Sequence, residues 1–287
     1  MSTGTPIRQV GVVGAGTMGN GIAQVCATAG LRVTLLDVAD AALQRGMATL
    51  VANVDRMTKK GKLTVQEQQA ALDRISATTR YDALREVDLV IEAATENPEL
   101  KLRILRQIDE VAGEQAMVAT NTSSISITLL AAVLKRPDRF IGLHFFNPVP
   151  VMALLEVIRG LQTSNETHAR AVEFAQTVGK TPVDVRNSAG FVVNRVLIPM
   201  INEAVFVLQE GLATAEDIDT AMKLGCNHPI GPLALADMIG LDVVLAVMRV
   251  LYDGFNDPKY RPAPLLVEMV DAGRLGRKSG IGFHVHR

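Results

Sequence analysis

The stretch "VGVVGAGTMGNG" limits the fold of this chain more than any other segment. A β-branched run gives way to Gly14-x-Gly16-x-x-Gly19, and a helix reading follows that closes at Gly30. A glycine triplet alone is weak evidence, but its surroundings narrow it. The next strand, "LRVTLLD", ends in Asp37, a spacing that matches a dinucleotide cradle. Gly14 allows the tight turn, Gly16 lets backbone approach a pyrophosphate, and Gly19 lets helix close on strand. Thr17 and Met18 fall in the first helical turn, where unpaired N–H groups and the dipole's positive end favour phosphate. Asp37 suits the adenosine ribose hydroxyls and repels a 2′-phosphate, and no Arg or Lys directly follows it. NAD is therefore expected over NADP.

The pattern continues as alternating strands and helices. "ISATTR", "VDLVIEAAT", "AMVATNTS", "FIGLHFF", "ALLEVI" and "TPVDVR" read as further strands. Helices are expected from Asp40, from Thr64 with a Thr64–Glu67 capping box, from Asn97–Pro98 and near Glu166. Beyond Arg186 only helical segments follow: "GFVVNRVLIPMINEAVFVLQEG", "TAEDIDTAMKLG", "GPLALADMIGLDVVLAVMRVLYDGF" and "APLLVEMVDAG". The expected fold class is α/β, a Rossmann-type and mostly parallel sheet over residues 1–187, then an all-α domain over 188–287.

Charge narrows the partners. With 29 Lys and Arg against 30 Asp and Glu, the net charge of −1 leaves no global field for nucleic acid or an anionic membrane. No apolar run approaches the roughly 20 residues of a membrane span. The N-terminal stretch lacks a secretory pattern, and Cys26 and Cys226 read as unpaired thiols, so a cytoplasmic protein is expected. Metal-ligand spacing is absent, and no metal is expected.

Two residues stand out in "RFIGLHFFNPVPVMALLEVIRG". His144 and Glu156 each interrupt an apolar run. If the two runs pair antiparallel about Pro150, these residues fall opposite each other. A buried carboxylate needs a partner, and an imidazole supplies one. Such a pair suits general base catalysis, because the carboxylate fixes the tautomer and stabilises the imidazolium. Oxidation of an alcohol by hydride transfer requires that base. Ser123, in "ATNTSSIS" at the end of a parallel strand, is placed to hydrogen-bond a reacting oxygen. Asn194 starts an apolar stripe through Ile198, Ile201, Val205 and Leu208, where an unpaired amide would be costly.

Together, "GAGTMGNGIAQ", "VIEAATEN", "NTSSISI", "HFFNPVPVMALLEV", "GFVVNR", "NHPIGPLALADMIGLD" and "GRKSGIGF" resemble the L-3-hydroxyacyl-CoA dehydrogenase family, from Ile7 almost to the C-terminus. The resemblance implies NAD-dependent, reversible oxidation of (S)-3-hydroxyacyl-CoA by a homodimer joined through its helical domains, with four-carbon chains the expected preference. It implies that His144 is the base, Glu156 its orienting carboxylate, and that Ser123 and Asn194 contact substrate. Glu96 and Lys101 in "TENPELK", with Asn121, correspond to cofactor contacts on the nicotinamide-ribose side. Lys60 corresponds to a lysine that meets the coenzyme A phosphates, with Lys59 and Lys62 as alternatives in "MTKKGK". Asn53 stands where the family often has a serine.

Other readings separate on specific features. A dehydrogenase of a sugar acid would share the cradle and the His–Glu pair but would not need the basic turn. A non-catalytic NAD sensor would have no use for His144 beside Glu156. A structural, crystallin-like role would leave the buried polar set without purpose.

Overall fold

The computed structural model describes residues 6–286. The chain divides at Asn187–Ser188 into two compact units. In the first, strands and helices alternate: β1 (Gln9–Val13), α1 (Thr17–Thr28), β2 (Arg32–Leu36), α2 (Asp40–Lys59), α3 (Val65–Asp73), β3 (Ile75–Thr78), β4 (Leu89–Glu92), α4 (Pro98–Val111), β5 (Met117–Thr120), α5 (Ile127–Ala131), β6 (Phe140–Phe145), β7 (Leu154–Arg159), α6 (Asn165–Thr177) and β8 (Thr181–Arg186).

The eight strands form one sheet in the order β3-β2-β1-β4-β5-β6-β7-β8. Every neighbouring pair is parallel except β6 and β7. The order reverses direction between β1 and β4, which opens a crevice at their carboxyl ends. Local chemistry sets the helix starts. Thr64 Oγ1 accepts from the Glu67 N–H at 3.1 Å, and Glu67 Oε2 accepts from the Thr64 N–H at 2.8 Å, a complete capping box. Asn97 Oδ1 caps α4 through the Leu100 N–H at 2.9 Å, ahead of Pro98. Ile22, Leu35, Leu50, Ile91 and Leu143 are fully buried between the sheet and its helices. Each such side chain contributes about 1.5–3 kcal/mol relative to exposure.

The second unit holds α7 (Val193–Gln209), α8 (Ala215–Cys226), α9 (Pro232–Ile239), α10 (Leu241–Phe255) and α11 (Pro264–Asp271) around their own core of Ile201, Leu233, Val244, Met248 and Leu266. Two readings needed adjustment here. The segment "GPLALADMIGLDVVLAVMRVLYDGF", expected as one helix, is two, because Gly240 sits at φ 103°, outside helical backbone. The helix expected from Gly190 starts at Val193, after Gly190 and Phe191 both take positive φ. Among the described residues no helix is long and apolar enough to cross a membrane.

Candidate active site

The glycine turn follows β1 as its spacing predicts. Gly14 has φ 103°, and a Cβ there would lie 2.5 Å from Ala94 Cα. At Gly19 a Cβ would lie 1.7 Å from the Gly14 carbonyl oxygen, so only glycine lets α1 approach β1 this closely. Gly16 differs: a Cβ there would meet nothing within 4 Å, so its backbone faces open space. No side chain caps α1 and no acidic residue occupies its first turn. An uncapped positive helix end behind approachable backbone fits a dinucleotide's pyrophosphate. Thr17 is exposed and Met18 half-buried in that turn. Asp37, at the end of β2, already serves the turn: its Oδ2 accepts from the Ala15 N–H at 2.9 Å and its Oδ1 from the Ala39 N–H at 3.0 Å.

His144 and Glu156 are direct partners in the antiparallel β6–β7 pair. Nδ1 of His144 lies 2.6 Å from Glu156 Oε2, and both side chains are buried. Phe146 packs on the imidazole at a centroid distance of 4.4 Å, which limits the ring's rotation. Because β6 is parallel to β5, His144 emerges on the rim that also carries the glycine turn.

The remaining expected residues of this unit cluster on the same rim. Asn121, just past β5, accepts from the Phe145 N–H at 3.0 Å and so ties β5 to the strand that carries His144. Glu96 accepts from Thr122 Oγ1 at 2.8 Å and from the Ser123 N–H at 2.9 Å; Ser123 Oγ is 3.3 Å away. Lys101 is wholly enclosed. Its Nζ lies 2.5 Å from Glu92 Oε2 and 3.2 Å from Thr120 Oγ1. Asn194 belongs to the second unit, half-buried in the first turn of α7.

A cavity of ≈ 320 Å³ runs from Gly16 and Thr17 along α2, past Arg45 and Asn53. It adjoins a second of ≈ 240 Å³ lined by Asn53, Arg56, Lys60 and Lys62. The β6–β7 connection walls both through Pro148 and Pro150. Lys59 points elsewhere and pairs with Asp55 at 2.7 Å, which leaves Lys60 and Lys62 as the lysines of this trough.

Several polar residues of the site escaped the sequence reading. Glu92 interrupts "LVIEAA" just as His144 interrupts its own run, and that anomaly was available. Arg45 and Arg56 carry no such mark, since arginines on an exposed helix face are ordinary.

The 3-hydroxyacyl-CoA dehydrogenase NAD binding domain matches residues 9–188 and the C-terminal domain of the same proteins matches residues 190–286. A 3-hydroxybutyryl-CoA dehydrogenase of Bradyrhizobium diazoefficiens is 51% identical over 281 residues, 98% of this chain and 96% of its own. One from Clostridioides difficile is 50% identical over 276 residues, 96% of this chain and 98% of its own. The crystal structure of (S)-3-hydroxybutyryl-CoA dehydrogenase PaaH1 from Ralstonia eutropha matches with a TM-score of 0.96 at 64% identity, covering 98% of this chain and 99% of that one. With a cradle for a dinucleotide, a buried His–Glu pair and both domain matches in sequence order, the chain belongs to the 3-hydroxyacyl-CoA dehydrogenase family.

Proposed function

We propose that this NAD-dependent oxidoreductase interconverts (S)-3-hydroxybutyryl-CoA and acetoacetyl-CoA, with His144 as general base. The observation that carries the reading is the 2.6 Å contact between His144 Nδ1 and Glu156 Oε2 at the rim of the sheet. With Nδ1–H donating to the carboxylate, Nε2 holds the acceptor lone pair. The proton of the 3-hydroxyl passes to Nε2, and the resulting imidazolium faces Glu156. In the reverse direction the same nitrogen returns the proton. Gly14, Gly16, Thr17, Met18 and Gly19 would hold NAD, which when bound would accept the hydride leaving C3 of the alcohol.

The other residues take supporting roles. Ser123 is assigned to the reacting oxygen, and Glu96 and Asn121 to the nicotinamide-ribose side. Lys101 acts from behind, through Glu92, whose Oε1 accepts from the Ala94 N–H at 2.9 Å beneath the glycine turn. Asn194 is assigned to substrate on the family resemblance and its place in α7. Lys60 and Asn53, with Arg56 and Lys62 beside them, form a local cationic site for the coenzyme A phosphates. A sugar acid would leave that site without a use.

The test is NADH oxidation with acetoacetyl-CoA and longer 3-oxoacyl-CoAs. Turnover of acetoacetyl-CoA at the highest kcat/KM is expected; inactivity on every 3-oxoacyl-CoA, with a sugar acid accepted, would sink the reading. Replacing Asp37 by alanine is expected to reduce discrimination against NADP by about tenfold or more, because a carboxylate no longer opposes the 2′-phosphate. An unchanged ratio of NAD to NADP efficiencies would remove Asp37 from that role.

Homodimerisation through the helical unit is part of the same reading. An apolar hollow of ≈ 470 Å³ lined by Met200, Ala204, Val207, Leu212, Ile218 and Met222 supports it. Light scattering on the purified protein should report twice the chain mass. Cytoplasmic residence fits two free thiols, of which Cys26 is buried and pushed up to about 12 by desolvation.

A further inference from the structure

We infer that Lys180 is a positioning residue for the acyl-CoA, holding the β6–β7 connection from inside the fold as the wall of the substrate trough; this rests on the function proposed above. Lys180 precedes β8 and is buried. Its Nζ lies 2.5 Å from the Val149 carbonyl oxygen and 2.7 Å from that of Met152. Both partners are carbonyls of the connection rather than a carboxylate, and desolvation lowers the lysine's pKa. An ammonium buried without a counter-ion is costly, and a methionine would fill the same space. The charge therefore needs a use, and what it touches is the wall.

That wall faces the ligand trough along its length. Pro148, Val149 and Pro150 line the cavity beside the glycine turn, and Pro148, Pro150 and Val151 line the one beside Lys60 and Lys62. Val149 also presses on α1, where a Cβ on Gly21 would lie 2.9 Å from Val149 Cβ. The same connection joins the strands of His144 and Glu156, but that pair is fixed independently by a ladder running from Gly142↔Ile158 to Phe145↔Leu155. Releasing the clamp shifts the wall without parting the pair. Binding of the coenzyme A portion should suffer, and the chemical step should not.

The experiment compares wild type with Lys180→Met, Lys180→Gln and Lys180→Arg on acetoacetyl-CoA and on acetoacetyl-N-acetylcysteamine, a thioester that lacks the nucleotide. For the two neutral variants, KM for acetoacetyl-CoA is expected to rise about tenfold, the loss of a charge-assisted hydrogen bond's contribution. Their kcat should stay within about threefold, and kcat/KM for the short thioester should not change. Lys180→Arg, which keeps charge and donors, should restore KM. An unchanged KM for acetoacetyl-CoA overturns the inference, as does an equal loss on both thioesters. It also falls if neither neutral variant folds, since the clamp would then be structural only. Wild type that ignores both thioesters overturns the proposed function itself, whereas the other failures leave that function standing.

Discussion

Replacement of His144 by alanine is expected to lower turnover of acetoacetyl-CoA by about two to four orders of magnitude while NADH still binds, the usual contribution of a positioned general acid–base. The site's geometry separates these two effects. The cradle is built from β1, α1 and the end of β2, whereas the ring of His144 meets Glu156 and Phe146. Alanine also removes the imidazole that faces the buried Glu156 carboxylate, which threatens stability independently of catalysis. Glutamine at 144 controls for this, since its amide can still donate to Glu156. Both variants should show the same collapse in kcat, with the glutamine form nearer wild type in thermal unfolding. Fluorescence titration with NADH, run beside steady-state assays, distinguishes a lost base from a lost fold. Near-normal turnover in a folded His144→Gln protein would eliminate the residue as the base.

The sequence showed this pair because strand pairing is arithmetic: in a hairpin folded about one corner, residues equidistant from it face each other, and His144 and Glu156 do. All eight strands were legible for a related reason, each being a short β-branched run closed by turn residues. Legibility failed where the deciding contact was long-range. The short helix α5 rests on Ser126, whose Oγ accepts from the Leu129 N–H at 3.3 Å, and on Asn187, whose Oδ1 accepts from the Ile127 N–H at 2.7 Å from sixty residues away. Lys180 lies at a helix–strand junction, and nothing local in the sequence announces that two carbonyls would enclose it. Lys101 is the instructive case. Lys101, Ile104, Leu105 and Ile108 share the buried face of α4 at helical spacing, so the sequence held a lysine at a core position. Its acidic partner was equally visible as Glu92 inside an apolar strand. Neither anomaly names the other without the parallel pairing of β4 with β5 and the return of α4 over them.

That enclosure makes Lys101→Met the variant with the largest expected effect on stability, about 3–5 kcal/mol lost, because a buried carboxylate remains without its counter-charge. Lys101 and Glu92 are both inaccessible to solvent, with Nζ and Oε2 2.5 Å apart. Thr120 Oγ1 donates to the same Oε2 at 2.7 Å, but a hydroxyl supplies no charge to balance it. Water cannot reach the site to compensate, so Glu92 must stay ionised and unpaired, take up a proton, or force α4 away from the sheet. Each route lowers the free energy of unfolding. The partner change makes the argument specific: Glu92→Met added to Lys101→Met removes the stranded charge and should recover most of the loss, as apolar replacements of buried ion pairs commonly do. Denaturant unfolding of the two single variants and the double provides the cycle. Affinity for NADH should fall in the single variants, because Glu92 holds the Ala94 N–H and Ala94 backs onto Gly14. It should stay reduced in the double variant even as stability returns, since the Ala94 N–H then lacks that acceptor. If Lys101→Met unfolds like wild type yet binds NADH poorly, the lysine meets the cofactor directly and the buried pair is not what supports the glycine turn.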